Sequence, residues 1–430
     1  MRKSVYIYTY GCQMNVHDSE KMLGILHRRG YALTERLEDA DLIIFNTCAI
    51  REKAEQKFYS QLGRTKILKR RRNEVKIAVA GCVAQETKER LFAKAPHIDF
   101  IVGPQNIHLI GDMVDGERRT ALLDDNLELA SVEVAARRGS GIKAWVSIMY
   151  GCNNFCSYCI VPLTRGREVS RPSSSIISEM RGLAERGYKE VTLLGQNVNS
   201  YSSDMTFPEL LGRIDAVGIE RIRFVTSHPR DLSDELIDAV AELPHVCEHI
   251  HLPIQSGSSE ILSRMNRGYS YGEYLEKVEK IRRKIPHASI TADVIAGFPG
   301  ETNRDHEDTL RALREIEYDG IFAFKYSPRR GTKAAEMDDK VSEEEKAVRL
   351  GEILKLQEAI TLRKNRGLEG TTQEILAEGP SETDGALLMG RTRANKIVTV
   401  AAEGHVQGSL LKVLIEKARH HSLSGKVLHR

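Results

Sequence analysis

Short apolar runs and helical patterns alternate along the first hundred residues. Runs at 5–9, 41–45, 75–80 and 99–102 read as strands, and apolar residues recur at helical spacing over 18–29 and over a long charged stretch at 51–72. That alternation predicts a small α/β domain, a doubly wound parallel sheet, over residues 1–118. From about 112 to 141 the periodicity fades into Asp-Asp-Asn and then Arg137-Arg138-Gly139-Ser140-Gly141, so a linker is expected at 119–141.

A second pattern begins at 142. Strand-like runs at 144–150, 190–194, 221–226, 249–254, 289–295 and 321–326 are each followed by a helical pattern. Six units are too few for a closed eight-stranded barrel and enough for a partial (β/α)6 barrel. A charged amphipathic helix over 342–366 closes this domain, assigned to 142–366. The remaining residues, 367–430, show β-like stretches at 372–377, 396–401 and 408–415 separated by Gly, Pro, Asp and His, which predicts a small all-β barrel. That tail holds no Phe, Tyr or Trp, so RNA contact there would rest on Arg391, Arg393, Lys396 and backbone groups rather than on base stacking.

Composition narrows the class. With 41% hydrophobic and 29% charged residues the chain can bury several cores. No stretch reaches the roughly 18 consecutive apolar residues of a membrane span, and the amino terminus lacks a signal-peptide layout, so a cytoplasmic protein with no membrane partner is expected. The net charge of +3 says little. Basic residues cluster at Lys66, Lys69, Arg70, Arg71 and Arg72 and again at Arg165, Arg167 and Arg171, which suits a polyanionic partner and equally suits a solvated helix face.

Seven cysteines are too few and too unevenly placed for a disulfide scaffold. Cys152, Cys156 and Cys159 form a C-x3-C-x2-C loop after the first barrel strand, with Tyr158 just before the third cysteine. Three thiolates on one loop can hold three irons of a 4Fe-4S cluster and leave the fourth free for the amino and carboxylate groups of S-adenosylmethionine (SAM). Tyr158 would then pack near the adenine. Structural zinc is the competing reading, yet no second C-x2-C exists, and the nearest histidines in sequence are His108 and His228. Cys12, Cys48 and Cys82 each follow a strand pattern and lie 36 and 34 residues apart. The carboxyl ends of parallel strands could bring them to one object, with separately buried thiols as the alternative. Cys247 has no motif around it and reads as a reduced thiol that ligates nothing.

The segment from Gly151 to Pro172, with its tail Thr164-Arg165-Gly166-Arg167-Glu168-Val169-Ser170-Arg171-Pro172, resembles the radical-SAM methylthiotransferases. So do Thr9-Tyr10-Gly11-Cys12-Gln13-Met14-Asn15, Asn46-Thr47-Cys48-Ala49-Ile50-Arg51, Ala80-Gly81-Cys82, His251-Leu252-Pro253-Ile254-Gln255-Ser256-Gly257-Ser258, Gly297-Phe298-Pro299-Gly300-Glu301-Thr302 and Tyr326-Ser327-Pro328-Arg329. The tail around Gly390 to Lys396 is similar to a TRAM domain, an RNA-binding β barrel. Gly195-Gln196-Asn197-Val198-Asn199-Ser200-Tyr201 and the Val169 to Pro172 string are most similar to the branch acting on N6-isopentenyladenosine beside the tRNA anticodon.

The resemblance implies two 4Fe-4S clusters and SAM as cofactors. The cluster on Cys152, Cys156 and Cys159 would reduce SAM to a radical, and the one on Cys12, Cys48 and Cys82 would carry the sulfur that replaces the hydrogen at C2 of the adenine. Partners would be tRNA, an electron donor protein and a sulfur donor. Tyr158, Gln196, Asp293 and Gly297 are expected near SAM, although strand-end polar groups and a turn glycine explain the last three as well. Arg165, Arg167 and Arg171 are expected near SAM carboxylate or tRNA phosphates, with solvated surface as the alternative. His228 and His251 receive no role. Three alternatives remain: methylthiolation of threonylcarbamoyladenosine in tRNA, methylthiolation of a ribosomal protein aspartate, and an RNA-binding protein using its clusters only as staples.

Overall fold

Every strand expected from the apolar runs is present in the computed structural model, which describes residues 3–49, 52–116, 119–124, 136–382 and 384–428. Ile50 and Arg51 of the second cysteine motif, and residues 125–135 of the expected linker, lie outside them. In the first domain β1 (Lys3–Thr9), β2 (Tyr31–Leu33), β3 (Leu42–Thr47), β4 (Lys76–Gly81), β5 (Phe100–Val102) and β6 (Thr120–Leu122) form one parallel sheet in the order β2-β1-β3-β4-β5-β6. Central strand β3, Leu-Ile-Ile-Phe-Asn-Thr, is buried along its whole length because helices cover both faces of the sheet. Strand β6 corrects the domain boundary. It lies in the stretch expected to be linker, pairs with β5 and carries the domain to at least Leu122. Three half-buried residues at a sheet edge give no readable period, and β2 escapes notice for the same reason.

The central domain contains β7 (Lys143–Ser147), β8 (Met149–Tyr150), β9 (Val169–Ser170), β10 (Glu190–Leu194), β11 (Arg221–Phe224), β12 (His249–His251), β13 (Ser289–Ala296) and β14 (Gly320–Lys325). Two parallel half-sheets, β7-β10-β11 and β12-β13-β14, meet where Ile222 bridges Val246 and the Cys247 N–H donates to the Ile222 carbonyl (2.9 Å). Val191, Leu193, Ile222, Ile250, Ala292 and Val294 point toward the surrounding helices and share one core. Alternation therefore leaves Trp145, Thr192, His251, Asp293, Phe322 and Phe324 on the inner face, where Phe322 and Phe324 on edge strand β14 are exposed. The helix Glu343–Arg366 starts at Ser342, whose hydroxyl accepts from the Glu345 N–H, and carries acidic residues in its first turn and basic residues in its last. Among the described residues no helix is long and apolar enough to cross a membrane.

The tail closes into a barrel in the order β15-β16-β17-β19-β18, from β15 (Thr372–Pro380), β16 (Leu387–Thr392), β17 (Ile397–Ala401), β18 (Leu410–Ala418) and β19 (Leu423–Val427). It docks against the amino-terminal ends of the central strands. Arg221 donates to the Arg391 carbonyl (2.6 Å) and to Glu374 (3.0 Å), while Arg223 donates to Glu190 (2.8 Å) and to the carbonyls of Thr392 and Arg393 (both 2.7 Å). Arg393 pairs with Glu248 (2.7 Å), Lys396 with Asp319 (3.0 Å) and Arg391 with Glu378 (3.3 Å). Arg393 and Lys396, expected to face RNA, instead lie in the turn between β16 and β17 and pair with carboxylates of the central domain, while Arg391 on β16 pairs with Glu378 of β15 within the barrel itself.

Burial would raise the Glu190 pKa, but Arg223 and Lys143 outweigh it and hold the carboxyl below its usual range. Replacing Arg223 by Met leaves a buried carboxylate short of its cation, which costs about 3–5 kcal/mol. Urea denaturation at pH 7 should show that loss. The gap to the parent should narrow toward about pH 4, because burial then raises the carboxyl's pKa and the variant is relieved by protonation. A gap independent of pH would contradict this role for the pair.

Candidate metal centres

Three neighbouring strand ends carry the first cysteine triad, and the residues around each cysteine interlock with the other two motifs. Cys12 precedes the helix Gln13–Arg28, and the Asn15 Oδ1 accepts from its N–H and thiol (both 3.4 Å). The Asn15 amide donates to Asn46 Oδ1 (3.1 Å) and the Thr47 carbonyl (3.0 Å), and the Asn46 amide donates back to the Asn15 carbonyl (2.7 Å). Thr47 then donates to the Ala80 carbonyl (2.6 Å), which ties the second motif to the third. Two glycines make this approach possible. Gly11, at φ +115°, lies where a Cβ would meet the Cys48 Cβ at 2.4 Å, and Gly81, at φ +91°, where one would meet the Thr47 carbonyl at 2.4 Å. Cys48 and Cys82 are buried and Cys12 is partly exposed.

Strands β8 and β9 pair antiparallel and pinch off the loop that carries the second triad. At its neck Gly151, φ +70°, packs so closely that a Cβ would meet the Arg167 carbonyl at 1.9 Å, and the Cys152 N–H donates to Gly166 (3.2 Å). The loop is pinned from outside as well. Ser157 donates through its N–H to the Met265 carbonyl (2.9 Å) and through its hydroxyl to the Arg264 carbonyl (2.9 Å), and the Asn266 amide donates to the Phe155 carbonyl (3.0 Å). Cys156 Sγ lies 3.3 Å from Arg267 Nη1 and 4.0 Å from His228 Nε2. The His228 Nδ1 accepts from the Arg230 N–H (3.2 Å), so the ring's proton sits on Nε2, facing the sulfur. Burial, helped by Arg267 and Arg230, pushes the His228 pKa down to about 2 and keeps the ring neutral. The sequence held no signal for this, because the contact spans 72 residues.

Arg165, just beyond the second cysteine loop, reaches the first triad. Its guanidinium is buried, donates to Asp18 (2.9 Å) and faces Cys82 and Cys12. Burial alone would lower its pKa; Asp18, Cys82 and Cys12 more than offset that. Arg171 is buried too, donating to Glu179 (2.9 Å) and the Ser147 carbonyl (2.6 Å). The expectation that Arg165 and Arg171 meet phosphate is therefore corrected, since neither reaches the surface. Arg167 does, stacked on the Phe155 ring at 4.5 Å.

The residues expected near SAM divide. The Gln196 side-chain amide follows β10 with both polar atoms enclosed and, among the described residues, unpartnered. The Tyr158 hydroxyl accepts from Arg267 (3.4 Å), and its ring packs edge-on to Phe298 (6.5 Å). Asp293 lies on the inner face, 3.5 Å from His251. Gly297, φ +73°, has a packing duty: a Cβ there would strike the Lys346 side chain at 2.3 Å.

Three thiols on one loop suit iron. Among the described residues no three His, Cys, Asp or Glu side chains are grouped as ligands of a single metal ion would be. An iron-sulfur cluster asks for wider spacing, because each thiolate binds a different iron. Burial pushes the Cys152 thiol up to about 11, and burial together with the neighbouring Cys156 pushes Cys159 up to about 12. Metal binding here must therefore displace protons.

Known proteins align with this architecture segment by segment. Residues 4–103 match the group described as Uncharacterized protein family UPF0004, 146–313 the Radical SAM superfamily and 366–428 the TRAM domain. The chain is 52% identical over 429 residues to the tRNA-2-methylthio-N(6)-dimethylallyladenosine synthase of Thermodesulfovibrio yellowstonii, covering 99% of each chain. It is 50% identical over 437 residues to the synthase of the same name from Syntrophus aciditrophicus, covering 99% of this chain and 95% of that one. Among solved structures it is similar to the radical S-adenosylmethionine methyltransferase TsrM of Kitasatospora setae, with a TM-score of 0.59 over 88% of this chain and 80% of that one. At 14% identity, that likeness is one of fold.

In reduced, metal-free protein, the alkylation rates of Cys152 and Cys159 should keep rising between about pH 9 and 11, whereas a free thiol of pKa about 8.5 levels off. Iodoacetamide time courses read by peptide mass spectrometry measure this. A plateau by about pH 9 would contradict the burial described here.

Proposed function

The chain belongs to the tRNA-2-methylthio-N(6)-dimethylallyladenosine synthases, and on that premise we propose that it places a methylthio group on C2 of N6-isopentenyladenosine in tRNA. Cys152, Cys156 and Cys159 hold one 4Fe-4S cluster in this reading, and Cys12, Cys48 and Cys82 a second. The observation that carries it is the presence of two thiol triads, one on an interlocked set of strand ends and one on a pinned loop, with Arg165 just beyond that loop facing Cys82 and Cys12. When bound, the clusters and SAM supply the one-electron chemistry and the sulfur that substitution at an unactivated aromatic C–H requires.

The chain's own residues do the rest. Gln196 offers its enclosed amide to SAM, and Tyr158 lines the adenine side of that site. Asp18 and Arg165 fix the distance between the triads. Glycines 11, 81 and 151 let the cysteine-bearing turns close. A protein electron donor and a sulfur donor complete the reaction from outside.

With Arg393 and Lys396 engaged between domains and Arg391 paired to Glu378 within the barrel, tRNA contact falls to exposed cations elsewhere. Arg167 at the cysteine loop is one. Exposed Lys412 and Lys417 on β18, Lys426 on β19 and Arg419 in the turn between them are others, and none of these five forms an ion pair among the described residues. Each phosphate contact contributes about 0.7–0.9 to the slope of log affinity against log salt. Arg167→Ala and the pair Lys417→Ala with Arg419→Ala should therefore weaken tRNA binding and flatten that slope by about one such step per contact. An unchanged slope would remove these residues from the interface.

The division of labour between the triads is tested by Cys12→Ala. In that variant methylthiolated nucleoside should disappear while reduced enzyme still cleaves SAM to 5'-deoxyadenosine. Persistence of methylthio transfer would refute the role given to the first triad.

A further inference from the structure

Six arginines are buried among the described residues: Arg165, Arg171, Arg221, Arg223, Arg267 and Arg349. Five are matched by a carboxylate, namely Asp18, Glu179, Glu374, Glu190 and Glu301 respectively. Arg267 has none. Its donors go to the Tyr269 hydroxyl (3.0 Å), the Pro253 carbonyl (2.9 Å), the Tyr158 hydroxyl (3.4 Å) and Cys156 Sγ (3.3 Å). Burying a guanidinium without an anion is costly. Tyr158 and Tyr269 meet it through phenol hydroxyls, groups that ordinarily carry no charge near neutral pH. That leaves a cysteine sulfur as the anionic partner within reach.

Backbone geometry aims this side chain. Asn266 at φ +55° and Gly268 at φ +70° flank Arg267 in a tight turn. The same turn is fastened to the cysteine loop by the bond from Ser157 N–H to Met265 and the bond from Asn266 to Phe155. A non-glycine residue in the left-handed region is strained, and such strain persists where the surroundings enforce it.

We propose that Arg267 is a positioning residue that serves as counter-ion to the Cys156 thiolate and makes the cluster bound there easier to reduce. This rests on the reading that Cys156 ligates a cluster. A charged donor on a ligand sulfur withdraws electron density and favours the reduced, more negative state. His228 Nε2 lies 4.0 Å from the same sulfur, farther than the guanidinium.

Midpoint titration of the SAM-free holoenzyme by electron paramagnetic resonance tests the proposal, following the signal that changes shape when SAM is added afterwards. Arg267→Met should lower the reduced-to-oxidised ratio at a fixed potential at least tenfold, equivalent to about 59 mV for a one-electron couple. Arg267→Lys should recover most of that loss, and the signal of the other cluster should not move. If the Met variant fails to hold iron, Arg267→Gln replaces it; iron held by the Lys variant but by neither neutral one also supports a need for charge.

An unchanged midpoint in an iron-replete neutral variant overturns the proposal. So does a Lys variant displaced as far as Met or equally unable to hold iron, which would mark a packing role. A shift seen only after SAM is added overturns it too, because the SAM carboxylate would then be the partner. Absence of any SAM-responsive signal in the parent protein would instead refute the cluster reading itself.

Discussion

The buried ion pair between Arg165 and Asp18 is the joint on which the arrangement depends. Asp18 lies on the helix that Cys12 begins, and Arg165 ends the short helix Val161–Thr164 just after the second cysteine loop. The pair therefore couples one triad's helix to the other triad's loop across 147 residues of sequence. Around it, Gln105 donates to the Arg165 carbonyl (2.9 Å) and Lys21 to the Tyr150 hydroxyl (2.6 Å), so the first domain is fixed against the inner side of the partial barrel. On the proposed reading two redox centres act on one carbon atom and need a fixed separation, which a buried pair would supply at the cost of desolvating two charges.

The molecule has a clear polarity around that joint. Glycines, cysteines and the unpartnered Gln196 gather at the carboxyl ends of parallel strands in both α/β domains, where such folds place their chemistry. The small barrel of the tail sits at the opposite, amino-terminal ends of the central strands, held by Arg221, Arg223, Arg393 and Lys396. Its docking contacts are polar and geometrically specific, so its outward surface on β18 and β19 is presented in a defined direction.

Much of this was legible in the sequence for a physical reason. Strands buried on both faces, such as the one over 42–47 with its run Leu-Ile-Ile-Phe, are written as short unbroken apolar runs, and the C-x3-C-x2-C spacing records one loop's local geometry. What escaped was non-local or short. Edge strands β2 and β6 have three residues each, and β16 and β19 lie among Gly and His that read as loop. Basic residues misled most. Arg165, Arg171, Arg393 and Lys396 read as nucleic-acid contacts because a positive residue looks the same whether its partner is a phosphate or a carboxylate 145 residues away, as for Arg393 and Glu248. Arg267 gave no signal at all, since its significance is the lack of a carboxylate in three dimensions.

The central claim is that two cysteine triads act together on an isopentenylated adenosine. The most direct measurement supplies the anaerobically reconstituted protein with reductant, SAM, sulfide and isopentenylated tRNA, and analyses the digested nucleosides by mass spectrometry. The account predicts 2-methylthio-N6-isopentenyladenosine together with 5'-deoxyadenosine. Formation of 5'-deoxyadenosine with an unchanged base would contradict the substrate, and absence of both from protein with verified clusters would contradict the catalytic reading.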